Sequence, residues 1–512
     1  MRRSSGRRAI LGVVATMVAL LLLALSSTSA GAVGAGLPLG IKTTVAPSLG
    51  GSWAIVGSAP VRSVHATLLR NGSVLLVEGS GNDPNQFAAG TFKTSVWNPS
   101  TGQFANVATP ADFFCSGHMA LPSGNVLLGG GTAGYPLAGG PWRGLAVSYV
   151  FDPTTNSYQR VGDMADGHWY PTLVKLGDGR PMAFGGLDGA GNGSLATERY
   201  DPATKTWSSL PNRDRYWGLY PNMVLMQDGR LFYSGVSTYP NAAAPSIYNW
   251  QTNNAATVPG LTNPGRDQGA TILLPPAQSQ KVMVMGGAAY ASGRAVADTN
   301  IIDLSAASPR YTWAPPLPTA KMYVNAVVLP DSTVFETGGG QSNASSAATN
   351  AASVYDPRWN AFSPMNSPTV ARLYHSEAFL LPDGRVATLG GNPLYEGFEM
   401  RIEVFSPPYL FKGARPSITG GPTEIKYGGS YAFTTATPSG KPITSMNLIH
   451  PASVTHQSDP NQRLVNLPIT AIPGAALAAV PANPNLAPPG WYMAFAVDSA
   501  GVPSVARWVH LT

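Results

Sequence analysis

The sequence contains one cysteine, Cys115, among its 512 residues, so an internal disulfide is excluded. A lone cysteine in an exported chain indicates pairing with a partner protein or a reactive thiol, and the alternative is an inert buried thiol. The choice among these three interpretations depends on which residues the fold places around Cys115.

Charged side chains are also scarce, at 11% of the residues. The formal net charge is +6, but four of those positive charges lie within the first eight residues, which leaves about +2 for the remainder. No run of basic residues follows, so the electrostatic signature of nucleic-acid binding is missing and we expect no nucleic-acid partner.

Long apolar runs are missing except for one, which extends from Ala9 to Leu25. Arginines precede this run, and the small residues Ala30-Gly31-Ala32 follow it. This layout predicts a secretory signal peptide over residues 1–32 and therefore a secreted, extracellular protein. The run is close to the lower limit for spanning a membrane, about 17 residues, so an uncleaved N-terminal membrane anchor is the alternative.

Glycine and proline are abundant, together about a fifth of the chain, which is typical of many turns and short strands. One phrase recurs: an apolar strand, a tight turn, a second apolar strand and a closing glycine, as in "HATLLRNGSVLLVEG" and "HSEAFLLPDGRVATLGG". Seven copies occur, 50 to 56 residues apart, and their closing glycines are Gly79, Gly129, Gly185, Gly235, Gly286, Gly338 and Gly390.

Two further strands follow most copies, separated by an aromatic-x-Pro turn such as the one in "ERYDPATKTW". Four strands in a period of about 50 residues predict a seven-bladed kelch-type β-propeller over residues 51–413, after a linker over 33–50. The seventh copy lacks a fourth strand, which we expect "GSWAIVG" at 51–57 to supply. Residues 414–512 read as short alternating strands and predict an immunoglobulin-like β-sandwich, so the fold class is all-β.

The first strand of each blade lines the central channel of a propeller, and the residues just ahead of these strands ring its mouth. The sequence places these residues there: His65, Cys115, Tyr170, Tyr220, Arg266-Asp267-Gln268, Tyr323 and Tyr374-His375. Phenolate oxygen and imidazole nitrogen together suit Cu(II), whereas zinc more often takes carboxylates or several thiolates. Tyrosines that merely cap the channel are the alternative.

Several motifs resemble the galactose oxidase and glyoxal oxidase family of mononuclear copper-radical oxidases. They are "FFC" at 113–115, the tyrosine before D-G-R in blade three, "LYHSEAFLLPDGRV" in blade seven, and "SVTHQSDPNQR" with "GWYMAFAVDSAGVPSVA" in the last domain. "SPPYLFKGARP" and "LLPDGRVATLGGNP" look closer to the glyoxal oxidase branch. The resemblance covers the chain from about residue 50 to its end.

The resemblance implies a site made of five residues. Tyr170 resembles the equatorial copper ligand whose ring is bonded to a cysteine sulfur, and Cys115 matches that cysteine. Tyr374 resembles the axial tyrosine and general base, and His375 and His456 resemble the two imidazole ligands. His456 lies in the last domain, so a sandwich loop has to reach into the channel. The implied cofactors are one copper ion and a Tyr170–Cys115 thioether radical.

The implied activity is oxidation of a small aldehyde, as its hydrate, or of a primary alcohol with O2 to give H2O2. The alternative is a non-catalytic glycan-binding propeller of the cell wall, and the family's cysteine argues against it because binding needs no Cys115. The expected partners are the small-molecule substrate and O2, with carbohydrate or cell-wall association, and we expect a monomer.

One position departs from the family, because Asp188 stands where galactose oxidase has a tryptophan over the cross-linked ring. Trp217 could cover that ring from a neighbouring blade, although a buried or surface tryptophan with no such role is the favoured interpretation.

Overall fold

The computed structural model describes residues 42–136, 140–239, 243–289, 292–393 and 397–512. The predicted signal peptide over 1–32 lies outside the described residues, as does the predicted linker up to residue 41. The rest of that linker contains the four-residue helix α1 (Pro47–Gly50). Among the described residues, no helix is long and apolar enough to cross a membrane.

Short antiparallel strands make up most of the first four fifths of the chain. Apolar runs end at D-G-R and D-P-x-T turns, which reverse the chain after three to seven residues. The strands are β1 (Ser52–Ser58), β2 (His65–Leu68), β3 (Val74–Gly79), β4 (Lys93–Trp97), β5 (Phe104–Ala108), β6 (Gly117–Ala120), β7 (Val126–Gly129), β8 (Thr132–Gly134), β9 (Arg143–Gly144), β10 (Ser148–Asp152), β11 (Ser157–Arg160), β12 (Thr172–Lys175), β13 (Pro181–Phe184), β14 (Glu198–Asp201), β15 (Thr206–Ser209), β16 (Met223–Leu225), β17 (Leu231–Tyr233), β18 (Ser246–Asn249), β19 (Asn254–Thr257), β20 (Ala270–Leu273), β21 (Lys281–Met285), β22 (Thr299–Asp303), β23 (Tyr311–Ala314), β24 (Asn325–Val328), β25 (Val334–Thr337), β26 (Ser353–Asp356), β27 (Ala361–Pro364), β28 (Ser376–Leu380), β29 (Val386–Gly390) and β30 (Arg401–Ser406).

In the described ranges these strands form seven main sheets, or blades, each with four of them, and β8 and β9 form a separate hairpin. The innermost strands of neighbouring blades contact one another, as β6 does β12 and β24 does β28. The blades therefore surround a common axis, which confirms the predicted seven-bladed β-propeller and the all-β fold class. Helical segments are few and short: α2 (Pro84–Ala88) and 3-10 turns at Ala277–Ser279, Ser345–Ala347 and Pro408–Phe411.

The seventh blade is closed by the first strand of the chain. Strand β1 pairs antiparallel with β30, from Ser52 opposite Ser406 to Ser58 opposite Arg401. The blade has the order β1-β30-β29-β28, so the edge of β30 is covered as the sequence predicts. Aromatic side chains then fill the space between blades six and seven, where the rings of Phe335 and Phe405 stack with centroids 4.4 Å apart.

The last part of the chain forms two sheets that face each other as a sandwich. Their orders are β31-β33-β38-β37 and β32-β40-β39-β34-β36. The strands are β31 (Ser417–Ile418), β32 (Glu424–Ile425), β33 (Ser430–Ala436), β34 (Ile443–Ile449), β36 (Leu464–Leu467), β37 (Ile469–Ile472), β38 (Ala475–Ala479), β39 (Gly490–Asp498) and β40 (Arg507–Leu511). The domain limits 51–413 and 414–512 stay predictions.

One strand of this last part leaves the sandwich. Strand β35 (Ser453–Thr455) pairs with β2, with Thr455 opposite His65, and becomes the innermost strand of blade one. Blade one thus has five strands. The one nearest the axis, β35, belongs to the last domain.

Candidate metal centre

The residues one to three positions ahead of the innermost strands, here called lead-in residues, share an unusual backbone. Six of them have φ in the left-handed region, although a side chain is disfavoured there: Cys115, Tyr170, Tyr220, Gln268, Tyr323 and His375, with φ between 44° and 69°. Backbone hydrogen bonds pass between blades at these residues, from Tyr170 N to Cys115 O (2.8 Å) and from Tyr220 N to Tyr170 O (2.7 Å). The ring of lead-in residues holds each side chain at a fixed angle to the axis.

The closing glycines explain why these loops can pack so closely. A Cβ on Gly79 would lie 2.2 Å from the backbone nitrogen of Phe114, and one on Gly185 would lie 2.3 Å from the carbonyl oxygen of Gly218. Both glycines also have φ in the left-handed region. These two closing glycines therefore leave room for the lead-in loop of the next blade.

Three predicted site residues from three different parts of the chain meet at the axis. The hydroxyls of Tyr170 and Tyr374 contact each other, and His456 Nε2 lies 3.0 Å from Tyr170 Oη. The Thr455 hydroxyl donates to the carbonyl of Val64 (2.8 Å), so it can only accept from His456 Nδ1, 2.7 Å away. The ring proton of His456 is therefore on Nδ1, which leaves the Nε2 lone pair for the site.

His375 completes the cluster. Its ring centroid lies 3.9 Å from that of Tyr374 and 4.6 Å from that of His456. Neither ring nitrogen makes a well-formed hydrogen bond among the described residues. A buried imidazole without such a bond, beside two phenols and a second imidazole, fits a metal ligand.

Cys115 lies beside this cluster, with Sγ 3.9 Å from His456 Nε2. The thiol also interacts with the Tyr170 hydroxyl, which lowers its pKa, while burial, the larger effect, raises it. The donor atoms of Cys115, His375 and His456 lie within 4.8 Å of one another, so the thiol is an alternative metal ligand. The phenol oxygen of Tyr170 is nearer to His456 than the sulfur is, which favours the two tyrosines with the two histidines as the donor set.

Burial dominates the electrostatics of the cluster. It raises the pKa of the Tyr170 and Tyr374 hydroxyls well above their usual range. It lowers the pKa of His375 to about 3, with Asn392 acting in the opposite direction, and it lowers that of His456 well below its usual value. The imidazoles are therefore neutral and ready to bind a metal, whereas the phenols need a nearby cation to ionise.

A cavity of about 650 Å³ opens above Tyr170, Tyr374 and His375. Its aromatic lining consists of Phe114, Tyr135, Trp142, Trp169, Tyr239 and Phe398. Its polar lining consists of Arg62, Asn82, Asp83, Asn343 and Asn392. The cavity gives a small molecule access to the cluster.

Sequence reasoning missed two aromatic neighbours of the tyrosines. Trp169 lies against Tyr170, with ring centroids 4.0 Å apart, and stacks on Trp142 at 4.6 Å. Tyr239 Oη lies 3.3 Å from Tyr374 Oη. Trp169 stands next to Tyr170 in "HWYPT", a signal that could have found it, whereas Tyr239 follows a closing glycine at a position without a pattern.

Trp217 does not cover Tyr170. Its ring packs on Phe184, Tyr233 and Tyr248 within the outer part of the blades, as the favoured interpretation predicted. The carboxylate of Asp188 accepts from the backbone nitrogens of Ala190 and Asn192 and caps a turn.

Two residues expected at the channel mouth lie elsewhere. Arg266 is completely buried, and its guanidinium donates to the carbonyls of Gly286 and Asp298, so it supports the backbone of blade five. His65 begins β2, one strand farther from the axis than expected, because β35 occupies the inner position.

Comparison with known proteins agrees with these motifs. The family model described as "Glyoxal oxidase N-terminus" matches residues 85–409, which is more than half of the chain. The chain belongs to the galactose oxidase and glyoxal oxidase family of copper-radical oxidases. The model described as "Galactose oxidase-like, Early set domain" matches residues 415–511, the sandwich of this family member.

Relatives of both kinds occur. A galactose oxidase from Gibberella zeae is 28% identical and the alignment covers 92% of this chain and 72% of the relative. An aldehyde oxidase GLOX from Vitis pseudoreticulata is 27% identical, with 90% and 97% covered. Among solved structures, a fungal alcohol oxidase in complex with copper superposes with a TM-score of 0.78 at 22% identity, over 90% of this chain and 99% of that one. The last similarity shows a common fold.

Proposed function

We propose that this family member is a secreted mononuclear copper-radical oxidase that oxidises a small aldehyde, as its hydrate, or a primary alcohol with O2 to give H2O2. The observation that carries the proposal is the meeting of Tyr170, Tyr374, His375 and His456 in one buried cluster beneath an open cavity. Secretion is supported by the layout of the N-terminal sequence, whereas a monomeric state and association with cell-wall carbohydrate stay expectations.

These four residues would hold one copper ion. Copper would supply Lewis acidity toward the substrate oxygen and one-electron redox chemistry that passes electrons on to O2. The two neutral imidazoles need no proton loss to bind, and Thr455 fixes the orientation of one of them. The two phenols would bind as phenolates.

Tyr170 and Cys115 would form the second redox unit. A bond between Sγ and the ring carbon beside the Tyr170 hydroxyl breaks one S–H and one C–H bond. The two electrons and two protons released reduce O2 to H2O2. The thioether makes the ring easier to oxidise, and Trp169 and Tyr220 pack against it, with ring centroids 4.0 and 4.6 Å away.

In turnover, Tyr374 would take the proton of the substrate hydroxyl, since it would be present as a phenolate when the substrate arrives. The oxidised Tyr170 ring would take a hydrogen atom from the substrate carbon. The hydroxyl of Tyr239, 3.3 Å from Tyr374 Oη, would pass the proton that Tyr374 has accepted on toward the cavity. The cavity, with both aromatic and polar side chains in its lining, suits a small organic aldehyde or alcohol.

The test is copper loading of the metal-free protein. One equivalent of Cu(II) in air should produce H2O2 from a panel of glyoxal, simple alcohols and galactose, and it should lower the intact mass by two hydrogens and remove the free thiol. Zn(II) should do neither. Cys115→Ser should bind copper with similar affinity and lose at least about 100-fold in turnover, which is roughly 2.7 kcal/mol.

Peroxide formation that survives complete chelation would overturn the copper oxidase. A glycan-binding module would release no peroxide at all, keep its thiol and retain its full mass. Loss of copper from Cys115→Ser would instead support the thiol as a ligand.

A further inference from the structure

The backbone of Cys115 is held in a conformation that it does not favour. Its φ of 60° is left-handed, a region in which a side chain is disfavoured. Its N–H is completely buried and needs an acceptor, because an unpaired buried donor costs free energy. Within the part of the chain that the structure describes, no backbone carbonyl accepts from it, so the acceptor is a side chain.

His65 is that partner. Its Nε2 lies 3.1 Å from the backbone nitrogen of Cys115, which donates to it across the boundary between blades one and two. Because Nε2 accepts, the ring has to be neutral with its proton on Nδ1, and complete burial of the ring keeps it neutral. His65 belongs to β2, which is fixed on both sides by β3 and β35.

The rest of the loop is anchored as well. The Asp112 carboxylate accepts from the backbone nitrogens of Ser80 (2.7 Å) and Phe114 (3.1 Å). The carbonyl of Cys115 accepts from Tyr170 N at 2.8 Å. With its N–H and its carbonyl both held, the direction of the Cys115 Cα–Cβ bond is fixed, and Sγ lies 3.9 Å from His456 Nε2.

We propose that His65 is a positioning residue for the bond between Cys115 and Tyr170: it holds the Cys115 backbone so that Sγ faces the tyrosine ring. This inference rests on the proposed function. His65 supplies no atom to the reaction, in which S–H and C–H are replaced by C–S while two electrons and two protons pass to O2. Its effect is on the rate at which the bond forms and not on copper binding.

The experiment follows cross-link formation in three variants of the full chain, each prepared without copper and then given Cu(II) in air. His65→Leu removes the acceptor. His65→Gln keeps an acceptor oxygen of similar reach. His118→Leu is the matched control, since its ring packs edge-on against His65 at 4.9 Å and makes no hydrogen bond to Cys115 among the described residues. Intact mass and free thiol are measured over time, and copper affinity and thermal midpoint are measured alongside.

We expect His65→Leu to form the cross-link at least about fivefold more slowly than wild type, the cost of a buried N–H without its partner being about 1 kcal/mol or more. His65→Gln and His118→Leu should form it within about twofold of the wild-type rate, and all three should keep copper affinity.

Cross-linking of His65→Leu at the wild-type rate would overturn the inference, as would equal slowing in His65→Gln and His65→Leu with folding intact. Equal loss in His118→Leu, or loss of copper affinity in step with the rate, would show a general packing role and also overturn it. Wild type that keeps its thiol and full mass would overturn the proposed thioether, and this inference with it.

Discussion

Blade one differs from the other six blades in what it places beside the axis. Blades two to seven each begin with a strand of their own, preceded by a left-handed lead-in residue such as Tyr170 or His375. In blade one the innermost strand is β35 of the last domain, and the left-handed residue that follows it is His456, with φ 49°. His65, which the repeat places at the channel mouth, is one strand farther out.

The difference shows that the cluster belongs to neither domain alone. In blades two to seven, a strand of the propeller itself lies nearest the axis. In blade one, a segment of the last domain, which does not share the repeat, lies there. That segment is tied to blade one by the ladder from Ser453 to Thr455 and by the Thr455 hydroxyl. The cluster is therefore complete only when β35 of the last domain pairs with β2 of the propeller.

The largest effect should come from removing the imidazole that the last domain supplies. His456→Ala in the full chain should lower peroxide formation by at least about 100-fold, roughly 2.7 kcal/mol, because one of four donors is lost. Copper titration and peroxide release measure the two parts of the effect. His510→Ala, a partly exposed histidine of the same domain, is the control and should change neither.

If His456→Ala bound copper and oxidised substrate like wild type, the segment that the last domain adds to blade one would supply no ligand. The proposed difference between blade one and the other blades would then be wrong.

A smaller effect should appear in the acid stability of the metal-free protein, through the histidine that blade seven supplies itself. The pKa of His375 is lowered by burial to about 3, so the unfolded chain binds a proton that the folded chain does not. Stability should therefore fall as the pH falls below about 6.5, with about 2 kcal/mol lost to this residue at pH 5. The loss should continue until about pH 3.

His375→Asn, which cannot titrate, should lose less stability than wild type between pH 7.5 and pH 5. Thermal midpoints at the two pH values measure the difference. An equal fall in both proteins would show that His375 is protonated in the folded state.

The smallest effect should come from the residue that orients His456. Thr455→Val removes the hydroxyl that accepts from His456 Nδ1 and donates to Val64, so the imidazole is no longer fixed. We expect copper affinity to fall about tenfold, the lower end for losing such a partner of a metal-ligating histidine. Competition titration with a chelator measures it. Thr434→Val, on the exposed side of the sandwich, should leave the affinity unchanged.

The blades could be predicted from the sequence because each one repeats a local pattern. Apolar runs, tight turns and closing glycines recur at a fixed period, and closure by residues 52–58 follows from one missing strand. The insertion of β35 could not be predicted in the same way. Three residues carry no period, and their pairing with β2 depends on how the last domain docks.

The candidate site was predictable where a motif names a residue, as with Tyr170 and His375. The surroundings of those residues were not predictable, because contacts such as Trp169 on Tyr170 or Tyr239 on Tyr374 depend on loop conformation. His65 shows the same limit. Its position near the channel follows from the repeat, whereas its bond to the Cys115 backbone follows from the strand that displaces it from the axis.

The separation of Cys115 and His456 by 341 residues also sets an order of events during biosynthesis. At roughly 5 to 20 residues per second, the ribosome completes His456 roughly 20 to 70 s after Cys115. Until then the inner edge of β2 has no partner strand and the cluster lacks an imidazole. The growing chain therefore carries the thiol of Cys115 through most of translation without the imidazole of His456, and the proposed cross-link has to wait for the finished protein.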